Sequence, residues 1–431
     1  MKAYFLRSLI VIGMACSCNP SNQTTIHSDF YEGTPDQAGL IPDRLQRIDD
    51  RIQRSIDDGE VAGTVALIAK DGIIGYHKAF GKADIANQKP MEKSSLFRIA
   101  SMSKLVTVVG ALILFEQGQF NMNTNVKDIL PEFSDPLIMK DWDDNKKEFI
   151  TEKVKGPIKM KHLFSHTSGI VYPIFTSKGR EGYQAAEVQD GFPTMDITLE
   201  EDIKRLATLP LAHEPGEKWT YGMNMDVLGR IIEVADGRPF SRFMEEEIFQ
   251  PLGLNDTGFE VEERDWDRVV EVYTTVDNEL QIFDQEVTDR NAPHNSLQWW
   301  KKDSEKIALG GAGIVTTAYD YARFLQMLLN NGELDGVRIL GRKTVELLRR
   351  PLFEDFGDES TAMGLSVWVL EEEENAYTQA SIGSFGWGGY FYTSYWVDPQ
   401  EKLVAVIMNQ VSPTASSLNN DVTTLTYSAL K

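Results

Sequence analysis

The stretch from Ser101 to Gly118 constrains this chain more than any other. At helical spacing it is apolar almost all round, through Met102, Leu105, Val106, Val108, Val109, Ala111, Leu112, Ile113, Leu114 and Phe115. A surface helix shows one apolar stripe, whereas a helix without a polar face must be enclosed on every side. The chain therefore needs enough other structure to wrap it. Its 431 residues, 42% hydrophobic and 25% charged, suffice for a globular body with a large core.

The rest of the pattern says what does the wrapping. Pro42 to Glu60 carries Leu45, Ile48 and Ile52 at helical spacing, with Pro42 and Asp43 as first-turn residues. Thr64 to Ala69 and Ile73 to Phe80 read as strands around Lys70-Asp71-Gly72, a strong short-range hairpin signal. From about 120 to 300 the signal is mostly helical, including Asp226 to Ala235 and Phe240 to Phe249, and a further helix runs from Asp320 to Asn331. Strands return at Leu365 to Leu370, Tyr390 to Val397 and Leu403 to Asn409, before a closing helix from about Ser417. Strands at both ends and helices between them predict an α/β (α+β) fold. One antiparallel sheet is built from both chain ends (about 35–100 and 300–431) and flanked by helices, with a mostly helical lobe (about 101–300) inserted. The cleft between lobes is the expected place for a site. Neither a repeat nor a Pro/Ser/Gly-rich linker divides residues 35–431, so they are expected to form one domain.

Charge narrows the partners. A formal net charge of -22 opposes binding to polyphosphates, so nucleic acid is not an expected partner. No apolar run approaches the roughly 20 residues that span a bilayer. The run Leu9 to Ala15 follows Lys2 and Arg7 and ends in small residues, so residues 1–18 read as a signal peptide and the chain as exported to a bacterial periplasm or envelope. The only cysteines, Cys16 and Cys18, lie at this junction, which leaves plain cleavage or lipoprotein-type anchoring open, and 19–34 reads as a polar tether.

Ser101-Met102-Ser103-Lys104 is a Ser-x-x-Lys, and it opens the apolar helix. A serine there has free backbone N–H groups and the positive end of a helix dipole beside it, which suits a developing oxyanion. Lys104 shares its face one turn on, and its apolar surroundings should partly desolvate the ammonium and suit it to act as a base. Alone, such a motif is more often an N-cap followed by a snorkelling lysine, and on this buried helix the two readings stand level. His162 and His166 stand four apart, but without a His-Glu-x-x-His pattern or a third ligand they read as capping or packing residues, and no metal is expected. The absence of Gly-x-Ser-x-Gly argues against an α/β-hydrolase elbow.

Phe97-Arg98-Ile99-Ala100-Ser101-Met102-Ser103-Lys104 resembles the first active-site motif of the serine β-lactamase and penicillin-binding-protein superfamily, in its class C β-lactamase and esterase branch. His162 to Gly169, Glu214 to Tyr221, Asp226 to Arg230, Gly310 to Thr317 and Gly386 to Gly389 agree with it in order and type, so the resemblance covers about residues 35 to 430. It implies a Ser101 acyl-enzyme, with Lys104 and Tyr221 managing the proton and no cofactor. It puts Trp387, Gly388 and Gly389 in the third motif, with the N–H groups of Ser101 and Tyr390 as the oxyanion hole. The expected partner is a small acyl substrate: an ester, amide or β-lactam.

Two departures shape the expected substrate. In β-lactamases the second motif is Tyr-x-Asn, but here Met223 fills the third place and Asn224, the candidate substrate-binding amide, stands one residue late. Trp387 replaces the lysine of a Lys-Thr-Gly motif, so neither cation nor hydroxyl is supplied for a substrate carboxylate. Esterase-type hydrolysis or acyl transfer is the favoured reading, with a β-lactamase or D-alanyl-D-alanine carboxypeptidase, or a non-catalytic envelope binding module, as alternatives. Asp135 to Gly156, rich in Asp, Lys and Glu, is a candidate cleft-edge insertion, and Glu371 to Glu374 a solvated loop.

Overall fold

Strands from the two ends of the chain meet at the centre of one sheet. The computed structural model describes residues 28–176, 178–277, 279–283, 296–302, 307–353, 360–371 and 378–431. In it Gly63–Lys70 lies antiparallel to Leu403–Met408, with Val65 opposite Met408 and Lys70 opposite Leu403. The sheet continues on one side through Ile73–Asp84 to Tyr31–Glu32. On the other it runs through Ser394–Asp398, Phe385–Gly388 and Trp368–Leu370 to Thr361–Met363. Asp71 and Gly72 close the predicted hairpin with positive φ at both (53° and 78°), as a tight turn of that hand requires.

The central strands are unbroken apolar runs because both of their faces are covered. Val65, Leu67, Ala69, Val404, Val406 and Met408 enter the larger core; Ala66, Ile68, Leu403, Ala405 and Ile407 enter the smaller. That alternation is the period of two of a pleated strand. Leu45, Ile48 and Ile52 of the helix Pro42–Asp57 and Leu418 and Val422 of the helix Leu418–Ser428 close the smaller core. Each such Val, Ile or Leu taken fully out of water contributes about 1.5–3 kcal/mol.

The larger core holds the helix that the sequence required to be enclosed. It spans Ser103–Glu116, and every residue from Ser103 to Leu114 is buried. The helix Asn224–Asp236 runs against it. A Cβ at Gly110 would stand 2.6 Å from Met244 Sδ, so the glycine permits the close approach of the short helix Phe240–Met244.

Several expectations need correction. The tether does not extend to residue 34: Phe30 is buried against Tyr319, and Ser28 and Asp29 hydrogen-bond to Asp335. Tyr390 is not in a strand, because Gly389 to Thr393 turn the chain between Phe385–Gly388 and Ser394–Asp398. The predicted strand from Leu365 begins only at Trp368, after a turn in which Gly364 N donates to Val367 O. The helical lobe also contains two hairpins, Leu137–Asp143 with Glu148–Lys153 and Tyr273–Val276 with Glu279–Ile282. The first occupies the expected insertion and packs Phe149 between Trp142 and Tyr183. Cys16, Cys18 and residues 372–374 lie outside the described residues. Among those described, no helix is long and apolar enough to cross a membrane.

Candidate active site

A short antiparallel pair aims the chain at the start of the central helix. Arg98 lies opposite Val315, Phe97 opposite Thr316, and Ile99 N donates to Ile314 O at 3.1 Å. Ala100 then turns into the left-handed region with φ 43°, which costs a residue with a Cβ about 1–2 kcal/mol. Ser101 follows within the 3-10 turn Ala100–Met102 that leads into the helix. The turn is held from several sides. Met102 O accepts from Tyr321 Oη at 2.9 Å, and Ser103 Oγ accepts from Ile314 N at 3.1 Å. Arg98 anchors the approach: its buried guanidinium donates to Val270 O and Leu297 O and stacks over Trp299 and Trp300. Burial lowers its pKa to about 10.

Lys104 is 1% exposed, and its Nζ lies 3.1 Å from Ser101 Oγ and 2.7 Å from Gly311 O. It meets Tyr221 through the ring face, 4.7 Å from the centroid, and Tyr172 likewise at 5.2 Å. The resting contact with Tyr221 is thus a cation–π contact and not a hydrogen bond to the hydroxyl. Tyr221 is ringed by His166, Tyr172, Trp219 and Trp387, the last with centroids 5.9 Å apart. Ser101, Tyr221 and Tyr390 line one cavity of about 50 Å³, together with Tyr172, Phe175, Asp190 and Phe192.

The glycine cluster after residue 309 threads between the two helices. Thr107 Oγ1 donates to Gly310 O, Lys104 donates to Gly311 O, and Gly311 N donates to Asp226 Oδ1 at 2.9 Å. A Cβ on Gly311 would stand 2.5 Å from Tyr172 Oη and 2.8 Å from Asp226 Oδ2. Gly311 therefore passes a hydrogen-bonded link from the Asp226 carboxyl, through one peptide plane on either side of its Cα, to the Lys104 ammonium. Burial raises Asp226 to about 6, with the Gly311 N–H and the Lys104 charge pulling the other way. Sequence reasoning assigned Asp226 no role, although a lone acid inside the apolar run Met223 to Gly229 is a signal that could have marked it.

Asn224, expected to bind substrate, falls elsewhere. Asn224 is fully buried and does not line the cavity. Its Oδ1 accepts from Ser168 Oγ at 2.5 Å, and its Nδ2 donates to His166 Nδ1 at 3.0 Å. Met223 is also buried, so neither residue presents an amide to the cavity. With Nδ1 accepting, His166 Nε2–H donates to Ser366 Oγ at 2.8 Å, which ties the second-motif segment to the turn before Trp368. Burial, and then the nearby Lys104 charge, hold His166 well below the ordinary histidine pKa, so it is neutral. His162 caps its own helix by accepting from Lys159 N, and no cluster of three metal-ligating side chains occurs among the described residues.

The two third-motif glycines also differ. A Cβ on Gly389 would meet Thr393 Oγ1 at 2.2 Å and Ile99 O at 2.4 Å, so this glycine lets the strand's end abut the segment before Ser101. At Gly388 the nearest atom would be 3.4 Å away, and that position is open. The hairpin Leu137–Lys153 contributes no lining residue to the cavity among the described residues. Tyr172, Phe175, Asp190 and Phe192 were not anticipated, because loop residues far apart in sequence carry no periodic signal.

Several known proteins are similar to this chain. The Beta-lactamase family model matches residues 48–426. Esterase EstB of Burkholderia gladioli is 29% identical over 362 residues, 82% of this chain and 86% of that protein. ML-236A carboxylate methylbutanoyltransferase mlcH of Penicillium citrinum is 25% identical over 420 residues, 90% of this chain and 93% of its own. Among solved structures, EstCE1, described as a hydrolase with promiscuous acyltransferase activity, superposes with a TM-score of 0.76 at 27% identity, covering 90% of this chain and 99% of that one. The chain belongs to the Beta-lactamase family and is a serine hydrolase within it.

Proposed function

We propose that this protein is an exported hydrolase or transferase of acyl esters working through a Ser101 acyl-enzyme. The observation that carries the reading is buried Lys104 with its Nζ at 3.1 Å from Ser101 Oγ, where Ser101 and Tyr221 line one cavity. That distance lies within hydrogen-bond reach, as a base and nucleophile require. As Ser101 Oγ bonds to the ester carbonyl carbon, the Lys104–Tyr221 pair, one proton short, takes its proton, and the carbonyl π pair moves onto oxygen under the backbone N–H groups of Ser101 and Tyr390. Collapse expels the alkoxide, which takes that proton back from the pair. Water, or an acceptor alcohol, then repeats the sequence to release the acyl group from Ser101.

Esters are favoured over β-lactams and D-alanyl peptides because Trp387 offers no cation for a carboxylate and the Asn224 amide is consumed by Ser168 and His166. An esterase and an acyltransferase among the relatives support the same choice. Export rests on the basic and apolar start of the chain, with small residues before Cys16 and Cys18. Cell fractionation with N-terminal sequencing of the mature protein tests that part.

For the chemistry, a short-chain p-nitrophenyl ester and a chromogenic cephalosporin are compared as substrates of the protein and of Ser101→Ala. Ester turnover should fall by roughly 10³-fold or more in the variant, and the cephalosporin should be the poorer substrate. A fluorophosphonate should add to Ser101 in intact-mass measurement. A better rate on the cephalosporin would give the site to β-lactam chemistry, and ester turnover surviving in the variant would remove Ser101 as nucleophile.

A further inference from the structure

Lys104 is a buried amine that no carboxylate touches among the described residues. Its hydrogen bonds go to Ser101 Oγ and Gly311 O, and the faces of Tyr172 and Tyr221 flank it. A charge held out of water is unfavourable unless an opposite charge answers it. Here the answer arrives through a glycine. Gly311 N–H donates at 2.9 Å to Oδ1 of Asp226, a carboxyl that is 1% exposed. Its Oδ2 is buried without a hydrogen-bond partner among the described residues, as is Tyr172 Oη. A Cβ at Gly311 would stand 2.5 Å from that hydroxyl and 2.8 Å from Oδ2, so both atoms close on the glycine and leave no space for a side chain.

The two peptide groups of this link are oriented for charge. The N–H end of one faces the Asp226 carboxylate, and the carbonyl end of the next faces the Lys104 amine. Thr107 Oγ1 donates to Gly310 O and pins the first group to the central helix. When Ser101 gives up its proton, the Lys104–Tyr221 pair gains one positive charge. A carboxylate that stabilises such a cation without taking the proton itself follows the logic of the aspartate in a Ser-His-Asp triad. The titratable groups facing Asp226 are Lys104 from the central helix, Asp202 from the helix Leu199–Leu206, and Tyr172 and Asp190 from the segment between them in sequence. Tyr221 and neutral His166 complete the surroundings of Lys104. Burial raises Asp202 to about 8 and Asp226 to about 6, so at neutral pH Asp202 is protonated and Asp226 is ionised.

We propose that Asp226 is a positioning residue of the reaction: through the Gly311 peptide groups it holds the Lys104 amine at Ser101 and stabilises the charge that arrives with the serine proton. The inference rests on the acyl-enzyme reading above and adds to it a residue that does not touch substrate.

Asp226→Asn tests the charge, because the amide keeps an oxygen for Gly311 N–H and loses the ionisable group. With the negative charge gone, the Lys104–Tyr221 pair holds a proton less strongly, so the acid limb of the kcat/KM profile should move about one pH unit lower. The plateau kcat on p-nitrophenyl butyrate should fall roughly tenfold, with KM within about twofold of the parent. Asp226→Ala loses the acceptor as well and should fall roughly tenfold further. A hydrogen bond of purely structural use would survive in Asp226→Asn. An unmoved acid limb with kcat within about twofold of the parent would therefore overturn the proposal, and so would a loss confined to KM. Thermal midpoints taken across the same pH range separate these outcomes from unfolding. Ester turnover that persists in Ser101→Ala would instead overturn the acyl-enzyme reading on which the proposal rests.

Discussion

Ser101 and Lys104 are separated by three residues on one helical face, so their contact follows from local geometry and was legible in the chain. The groups around Lys104 are not local. Asp226 and Gly311 come from segments more than a hundred and more than two hundred residues further along the chain, and only the fold connects them. Gly311→Ala should drive a methyl group into Asp226 and Tyr172. It is expected to lower kcat at least tenfold with a smaller change in KM, measured on a neutral p-nitrophenyl ester. A neighbouring acid responds to pH. Asp202 is buried, and burial raises it from 3.8 to about 8, with lesser contributions from the negative charges of Asp226 and Asp190. Between about pH 4 and pH 8 the native state thus keeps a proton that the unfolded chain has released. The stability tied to this group is fully present below about pH 4 and is lost as pH rises through 8. Asp202→Asn keeps an acceptor for Gln189 N, so its thermal midpoint should match the parent near pH 4 and exceed it by several degrees at pH 8.5.

The strand Phe385–Gly388 shows how an element supplies a site without touching substrate at every residue. Trp387 packs on the Tyr221 ring, while Gly389, just past the strand, lets the backbone lie against Ile99. Gly389→Ala should therefore displace the strained Ala100–Ser101 turn and lower kcat/KM at least tenfold. Gly388→Ala, with 3.4 Å of clearance, should retain most of the activity; thermal midpoints of both variants separate misplacement of Ser101 from loss of the fold. The central helix was the element most legible in sequence, because an apolar surface all round has one physical solution. The hairpin Leu137–Lys153 was least legible. Its Asp, Lys and Glu face water, and its two ring anchors, Trp142 and Phe149, have meaning only beside Tyr183.

At the scale of the molecule, the N-terminal segment is part of the sheet lobe. Phe30 lies in the larger core, and Tyr31–Glu32 pairs in parallel with Ile73–Asp84. Phe30→Ala should cost about 3–5 kcal/mol in denaturant unfolding, a change that a free tether would not produce. The sequence by itself determined that a buried helix begins at Ser101, that strands come from both ends, and that Ser-x-x-Lys stands where a nucleophile can be used. These are properties of period and of neighbours three or four residues apart. Only the tertiary structure decided that Asn224 serves His166 instead of substrate, that Lys104 meets the face of Tyr221, and that Asp190 lines the same cavity as Ser101. Each depends on the orientation of side chains from segments distant in the chain, which is set by packing and leaves no local pattern.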